Sequence, residues 1–378
     1  MTEASRNKTA RNIWTDYNPI RITSGPGAID RLFSLDPPVA AGKRIFMVTS
    51  AGFSSRGVTE QIEAKARKKG LERPILVFDG VTPNPELDLL DRIATGLRSE
   101  GITGIIALGG GSVLDTAKAI SVALPSDLEA PLDMVLRQGR PHQWKSRIPV
   151  VVIPTTAGTG EEVTPFATVW DSENKKKYSV SGEMVYPAHA LLDPKLTLSL
   201  PRNETLYTGL DTISHALESL WNKNRTPVSE ALALKALTLA NEALPAVLNQ
   251  PGSLHFREIM QQAAMLAGLA ISRTRTAIAH AISYPLTMRF AVPHGLACSF
   301  TLPKIIEHYV PYEKDGAVKH ALIATLPMLE GLKLNDEMAA FTKGEDLSKC
   351  AGEMFHPERV HNFTESITNK DIIRILGK

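Results

Sequence analysis

Two cysteines, Cys298 and Cys350, are all that the 378 residues contain. That number excludes a disulfide framework, and their separation has no metal-type spacing, so a reducing compartment is expected. No stretch reaches the roughly 18 apolar residues of a membrane-spanning helix, and the opening MTEASRNKTARN is polar without an apolar segment, so the protein reads as cytoplasmic. Charge of one sign is also missing. The 42 basic and 40 acidic residues leave a net charge of +2, and no run of like charge is longer than three residues, as at Lys175, Lys176 and Lys177. Nucleic acid and a membrane surface are thereby disfavoured as partners, and a small molecule is favoured. Internal repeats and low-complexity segments are absent.

What is present changes character once. From about Lys43 to Val169, short apolar runs (RIFMVTS, PILVFDG, GIIALGG, PVVVIPTT) alternate with helical stretches at Thr59 to Lys69 and Glu86 to Ser99. Such alternation predicts a parallel sheet covered on both faces. From about Asn203 the chain is Ala/Leu-rich at helical period, as in SEALALKALTLANEALPAVL. Tyr186 to Asn203, with three prolines, is the expected passage between the two. An α/β domain over residues 1–200 and an all-helical domain over 201–378 follow.

Asp211 and His215 are spaced i, i+4, which puts a carboxylate and an imidazole on one helix face. His280 and His294 follow, with Pro285 and Pro293 between them, so they come from a second helix and the turn after it. Four such ligands suit one divalent metal, Fe(II) or Zn(II); singly, each histidine reads equally as a core residue. Gly109, Gly110, Gly111 and Ser112 join the strand GIIAL to a helix. Glycines let backbone approach a pyrophosphate, and a helix N-terminus offers free N–H groups; the alternative is a tight connection. Asp115 and Lys118, one and two turns on, either face that ligand or are solvated charges. Thr155, Thr156 and Thr159 lie just beyond the strand PVVVIP, where open parallel sheets gather ligands. A helix N-cap region is the plainer reading. Arg273 and Arg275, within seven residues of His280, suit an oxyanion or else cap a helix C-terminus. His142 and Trp144 sit in a polar loop.

GGGSVLDTAK at Gly109, PTTAGTGEE at Pro154, DTISHALE at Asp211, HAISYPL at His280 and PHG at Pro293 together resemble the iron-containing, group III alcohol dehydrogenases. The likeness runs from about Tyr17 to His308 and includes VTPNPE at Val81. It implies a Rossmann-like N-terminal domain binding NAD(H) or NADP(H), a helical C-terminal domain and a catalytic cleft between them. By resemblance, Asp211, His215, His280 and His294 hold the metal. Gly110, Gly111 and Ser112 hold the pyrophosphate, Asn84 and Lys177 approach the ribose, and Thr155, Thr156 and Thr159 line the cofactor. The implied reaction places a metal Lewis acid on a carbonyl oxygen that receives hydride from the nicotinamide. The arginine-containing phrase ISRTRTAIAH is similar to the subgroup that reduces phosphonoacetaldehyde or sulfoacetaldehyde.

Three positions depart from the family pattern. Tyr284 stands where many members have a histidine; its hydroxyl can assist the alkoxide or be structural. Glu161 replaces a usual serine. Ser50 stands in VTSAG where NAD-preferring members often carry an acid that would repel a 2'-phosphate, so NADP remains permitted. A glycerol-dehydrogenase-like or lyase reaction, and a non-catalytic nucleotide-binding role, are the competing readings. The strand-like YNPIRITSG is a candidate for pairing with a partner subunit's edge, as in a homodimer.

Overall fold

β-branched residues fill the short apolar runs, and a pleated strand buried on both faces is what such runs stabilise. The computed structural model, which describes residues 13–36, 44–71, 74–355 and 357–377, forms strands β1 (Arg21–Ser24), β2 (Ile45–Val48), β3 (Leu76–Phe78), β4 (Gly104–Gly109), β5 (Val150–Pro154), β6 (Phe166–Asp171), β7 (Lys176–Ser181) and β8 (His189–Leu192). The polar opening segment lies outside the described residues. Six strands pair in parallel in the order β1-β8-β5-β4-β2-β3. Every residue of β2, β4, β5 and β8 is buried.

Helices α1 (Ala51–Ser55), α2 (Val58–Lys68), α3 (Leu87–Gly96) and α4 (Gly111–Ala123) accompany the sheet. α3 and α4 pack Leu87, Leu90, Leu114 and Ile120 on one face, while α2 packs Ile62 and Ala66 on the other. Strand order reverses between β2 and β4, and the crevice at their carboxyl ends is the switch point where α/β sheets bind ligands. Gly109 and Gly110 stand there.

Two features complete the sheet region. YNPIRITSG supplies β1, which pairs with β8 of its own chain, Arg21 opposite His189, and stands at the sheet edge. β6 and β7 form a separate antiparallel hairpin, with Lys175 at its turn. The hairpin was not foreseen, because its strands are half polar and one face covers the cleft.

After β8 no strand follows among the described residues. α5 (Arg202–Leu220), α6 (Pro227–Asn249), α7 (Leu254–Thr274), α8 (Ile278–Phe290), α9 (His294–Ser299), α10 (Leu302–Tyr309), α11 (Gly316–Gly331) and α12 (Leu334–Thr342) build a helical core, closed by short turns to Ile375. α6 starts at a capping box of Thr226 and Ser229 with Pro227 at its first position. It is long and apolar enough to cross a membrane, yet Ala233, Ala236, Leu237, Ala240 and Leu244 bury one face within the helical core.

The halves meet at backbone distance. An added Cβ on Gly160 would stand 2.5 Å from Gly268 Cα, so α7 lies directly on the loop after β5. Thr212 Oγ1 donates to Ala157 O at 3.4 Å and Gly158 O at 3.3 Å, tying α5 to the same loop.

Candidate active site

Asp211 and His215 project from α5, His280 from α8, and His294 is the first residue of α9. Asp211 Oδ1 is the hub, 3.5 Å from His215 Nε2, 3.6 Å from His280 Nε2 and 3.8 Å from His294 Nε2. Direct hydrogen bonds are shorter than this. Asp211 Oδ1 and His280 Nε2 are buried without a hydrogen-bond partner, an expensive arrangement unless a cation sits among them. The donor types, spacing and orphaned atoms therefore fit a divalent metal.

Electrostatics agree. Burial disfavours the Asp211 carboxylate, but His215, His294 and His280 outweigh that and hold its pKa well below the usual range. Burial keeps His215 and His294 below the ordinary imidazole value, in the neutral form that ligates metal. His280 is raised: burial opposes its charged form, but Cys298 and Glu218 prevail.

Glu218 was missed as a separate residue. Its Oε2 accepts from His280 Nδ1 at 2.6 Å, and its Oε1 accepts from the backbone of Ala279 at 2.6 Å and His280 at 3.2 Å. That bond fixes the tautomer and turns Nε2 toward Asp211, as carboxylates do behind ligating histidines. The signal was legible, since Glu218 lies seven residues after Asp211 on the same helix face.

A cavity of about 530 Å³ opens beside this group, lined by residues of both halves. From the nucleotide side come Asn84, Gly111, Ser112, Asp115, Thr159 and Lys177; from the helical side come Asp211, His215, Arg275, His280, Tyr284 and His294. Ser50 stands at the N-cap position of α1, two residues after β2, without a side-chain capping bond. An added Cβ on Gly110 would meet Thr156 Cγ2 at 3.3 Å and one on Gly111 would meet Thr159 Cγ2 at 2.9 Å, so the glycine and threonine loops face each other closely. Thr155 is buried, and its N–H donates to Gly109 O at 3.0 Å. This glycine cradle at the N-terminus of a thirteen-residue helix fits a dinucleotide pyrophosphate.

Several expectations change. Asp115 and Lys118 are buried rather than solvated. Lys118 Nζ donates to Glu161 Oε2 at 2.8 Å, Glu161 O at 2.9 Å and Thr164 Oγ1 at 3.1 Å, so the unusual Glu161 neutralises a buried ammonium beneath the cofactor loop. Arg273 and Arg275 do not act as a pair. Arg273 caps α7 through Leu269 O and pairs with Asp16, 3.0 Å from Nη2 to Oδ2, outside the cavity. Arg275 lines the cavity with its backbone at φ 64° and ψ 174°, a region that costs a non-glycine residue about 1–3 kcal/mol. Asn222 and Thr274 hold that conformation by donating to Arg275 O. Tyr284 forms part of the wall, and its hydroxyl donates to Lys175 O at 3.2 Å, strapping α8 to the hairpin turn. His142 and Trp144 pack against each other away from the cavity.

Arg359 and Asn362 were not foreseen at all; they line the cavity from the C-terminal segment, and Arg359 Nη1 donates to His280 O at 3.1 Å. Cys298, expected to have no relation to a metal, lies in the same donor group as Asp211, His280 and His294.

Comparison with known proteins gives the same picture along the chain. The family described as "Iron-containing alcohol dehydrogenase" matches residues 19–194, and "Fe-containing alcohol dehydrogenase family, C-terminal" matches residues 205–349. The choline dehydrogenase of Bacillus subtilis is 32% identical over 340 residues, covering 90% of this chain and 83% of that protein. The phosphonoacetaldehyde reductase of Streptomyces viridochromogenes is 35% identical, over 73% of this chain and 70% of its own. The solved sulfoacetaldehyde reductase of Bifidobacterium kashiwanohense in complex with NAD+ superposes with a TM-score of 0.80 at 27% identity, covering 97% of this chain and 98% of its own. A doubly wound sheet with a glycine cradle, an aspartate and three histidines on adjoining helices, and two family matches that together span most of the sequence make the chain a member of the iron-containing alcohol dehydrogenases, NAD(P)-dependent enzymes of alcohol and aldehyde interconversion.

Proposed function

We propose that this enzyme reduces a small anionic aldehyde, of the phosphonoacetaldehyde or sulfoacetaldehyde class, to its primary alcohol in the cytoplasm. One observation carries the reading: Arg275, Arg359 and Lys177 all line the metal-site cavity, and among the described residues none has a carboxylate within 4.0 Å. Arg359 spends one donor on His280 O and Lys177 lies over the Trp170 ring, but no carboxylate cancels their charge, so the cleft carries a positive field that favours an anionic substrate. A neutral substrate makes no use of that field, and the cationic choline named for one relative would be repelled.

When bound, a metal in the Asp211, His215, His280 and His294 site supplies a Lewis acid for the carbonyl oxygen, and the dinucleotide supplies hydride. The chain's own groups set the geometry. Gly110, Gly111, Ser112 and the Thr155, Thr156 and Thr159 loop hold the dinucleotide, with Asn84 at the ribose side. Arg275 and Arg359 grip the anionic tail by charge-assisted hydrogen bonds. Tyr284 walls the cleft, and it can pass its proton to a product oxygen only by releasing Lys175 O. With no carboxylate at residue 50, NADH and NADPH are both admitted.

Substitution of the arginines tests the assignment. Arg275→Gly suits the left-handed backbone while removing the guanidinium, and Arg359→Ala removes the other fork. Each is expected to lower kcat/KM for sulfoacetaldehyde at least about tenfold, corresponding to about 1.4 kcal/mol, with propanal changed less than threefold. Equal losses for both aldehydes would sink the proposal.

Lys177 gives a pH signature. Burial, then the charge of Arg359, lowers its pKa to about 8, against the raising influence of Cys298, Asp115 and Glu161. Its Nζ lies 5.4 Å from the Trp170 ring centroid. Below about pH 8 the ammonium is charged and attracts the substrate; above it that attraction is lost. KM for sulfoacetaldehyde, relative to propanal, should therefore rise as pH passes about 8, and Lys177→Met should flatten the profile.

A further inference from the structure

Arg275 stands between α7 and α8 with φ 64° and ψ 174°, a combination that glycine adopts freely and other residues do not. Its side chain is exposed to the cavity, and among the described residues no carboxylate lies within 4.0 Å of it. Packing therefore does not aim the guanidinium; the backbone beneath it does. Three asparagines hold that backbone, one on each of three successive carbonyls. Asn224 Nδ2 donates to Thr274 O at 3.3 Å, Asn222 Nδ2 to Arg275 O at 3.0 Å and Asn362 Nδ2 to Thr276 O at 2.8 Å. The N–H of Arg275 is held as well, donating to Ile271 O at 2.8 Å.

The asparagines are themselves braced. Asn222 is 1% exposed, and its Oδ1 accepts from Asn224 N at 3.0 Å, which fixes the end of the carboxamide that faces Arg275. Lys223 N donates to Asn362 O at 2.8 Å, and Asn222 pairs with Phe363 in an antiparallel bridge, so the turn after α5 and the C-terminal segment support each other. Strained backbone persists only where the surroundings over-determine it, and it gathers at ligand sites. A loop that merely joined two helices would relieve the strain with glycine.

We propose that Asn222, Asn224 and Asn362 form a positioning clamp that aims Arg275 at the anionic end of the substrate. Asn222 and Asn224, which do not line the cavity, thereby become determinants of substrate choice. This rests on the reading of Arg275 as an anion anchor and deepens it.

The test is a double-mutant cycle on the metal-reconstituted full-length enzyme, reading KM and kcat for sulfoacetaldehyde and propanal. Asn222→Ala is expected to raise KM for sulfoacetaldehyde about fivefold or more, with KM for propanal and both kcat values changed less than about twofold and bound metal unaltered. In an Arg275→Gly background, with the guanidinium gone and the backbone relaxed, the same substitution should change the ratio of the two KM values less than about 1.5-fold. Persistence of the full effect there would show that Asn222 acts by another route and would overturn the clamp. Equal losses for both aldehydes, or loss of metal, would overturn it too, since the asparagine would then only seat α8 and His280. If Arg275→Gly alone leaves the ratio untouched, the arginine is not the anion anchor, and the reading beneath the clamp falls with it. Should Asn222→Ala fail to fold, the exposed Asn224→Ala decides by the same comparison, with about a twofold rise in KM for sulfoacetaldehyde expected.

Discussion

Asp211→Ala should abolish aldehyde reduction, with kcat/KM lower by about a thousandfold or more, and should leave the purified protein without stoichiometric metal. The size follows from position. Asp211 Oδ1 is the atom common to all three imidazoles, at 3.5, 3.6 and 3.8 Å, so its loss removes the one anionic ligand of the foreseen set. Lewis-acid stabilisation of a developing alkoxide is worth several kcal/mol, and about 4 kcal/mol corresponds to a thousandfold. Dinucleotide affinity should stay within about threefold, because Gly111, Ser112 and Thr159 line the other side of the cavity. Metal analysis, titration of cofactor fluorescence and steady-state rates check the three parts separately. A variant that keeps full metal and a tenth of the activity would show that Asp211 is not the hub.

The second large effect is mechanical. A methyl group on Gly295 would land on the carbonyl of Tyr207, which belongs to the backbone of α5 and cannot swing aside as a side chain could. α9 therefore packs on α5 with no room for a Cβ, and this contact seats His294 beside Asp211. Gly295→Ala should destabilise the protein by about 3 kcal/mol or more, at the upper end for overpacking, and lower metal affinity because His294 is the adjacent residue. Gly252→Ala, with nothing within 4 Å of the added Cβ, should leave stability within about 0.5 kcal/mol. Thermal unfolding of the two variants side by side gives the comparison; similar midpoints would mean that α9 is free to move.

The elements that sequence made legible were those whose physics is local. Apolar runs announced β2, β4 and β5, because strands buried on both faces need no alternation. The spacing of Asp211 and His215 announced a shared helix face, and Glu218 could have been read from the same periodicity. Contacts between distant segments were not readable. Arg359 reaches the cavity from the far C-terminus, and nothing in its neighbourhood marks it. Arg273 and Arg275 look alike in sequence, but Asp16, over 250 residues away, captures one of them. Glu161 looked anomalous until Lys118, buried on α4, supplied the charge that it balances. The threonine and glycine loops follow β5 and β4 and face each other at the carboxyl end of the sheet, a position that the topology of open sheets makes general for ligands.

The most direct measurement is a comparison of kcat/KM for sulfoacetaldehyde, phosphonoacetaldehyde, propanal and the cationic betaine aldehyde. It uses metal-reconstituted wild-type protein, with NADH and with NADPH. Three cations lining the cleft, none with a carboxylate within 4.0 Å among the described residues, predict that the anionic aldehydes exceed propanal by about a hundredfold or more, about 2.7 kcal/mol of discrimination, and that betaine aldehyde is the poorest. Propanal or betaine aldehyde performing as well as the anions would contradict the account and leave a metal-dependent alcohol dehydrogenase of other specificity.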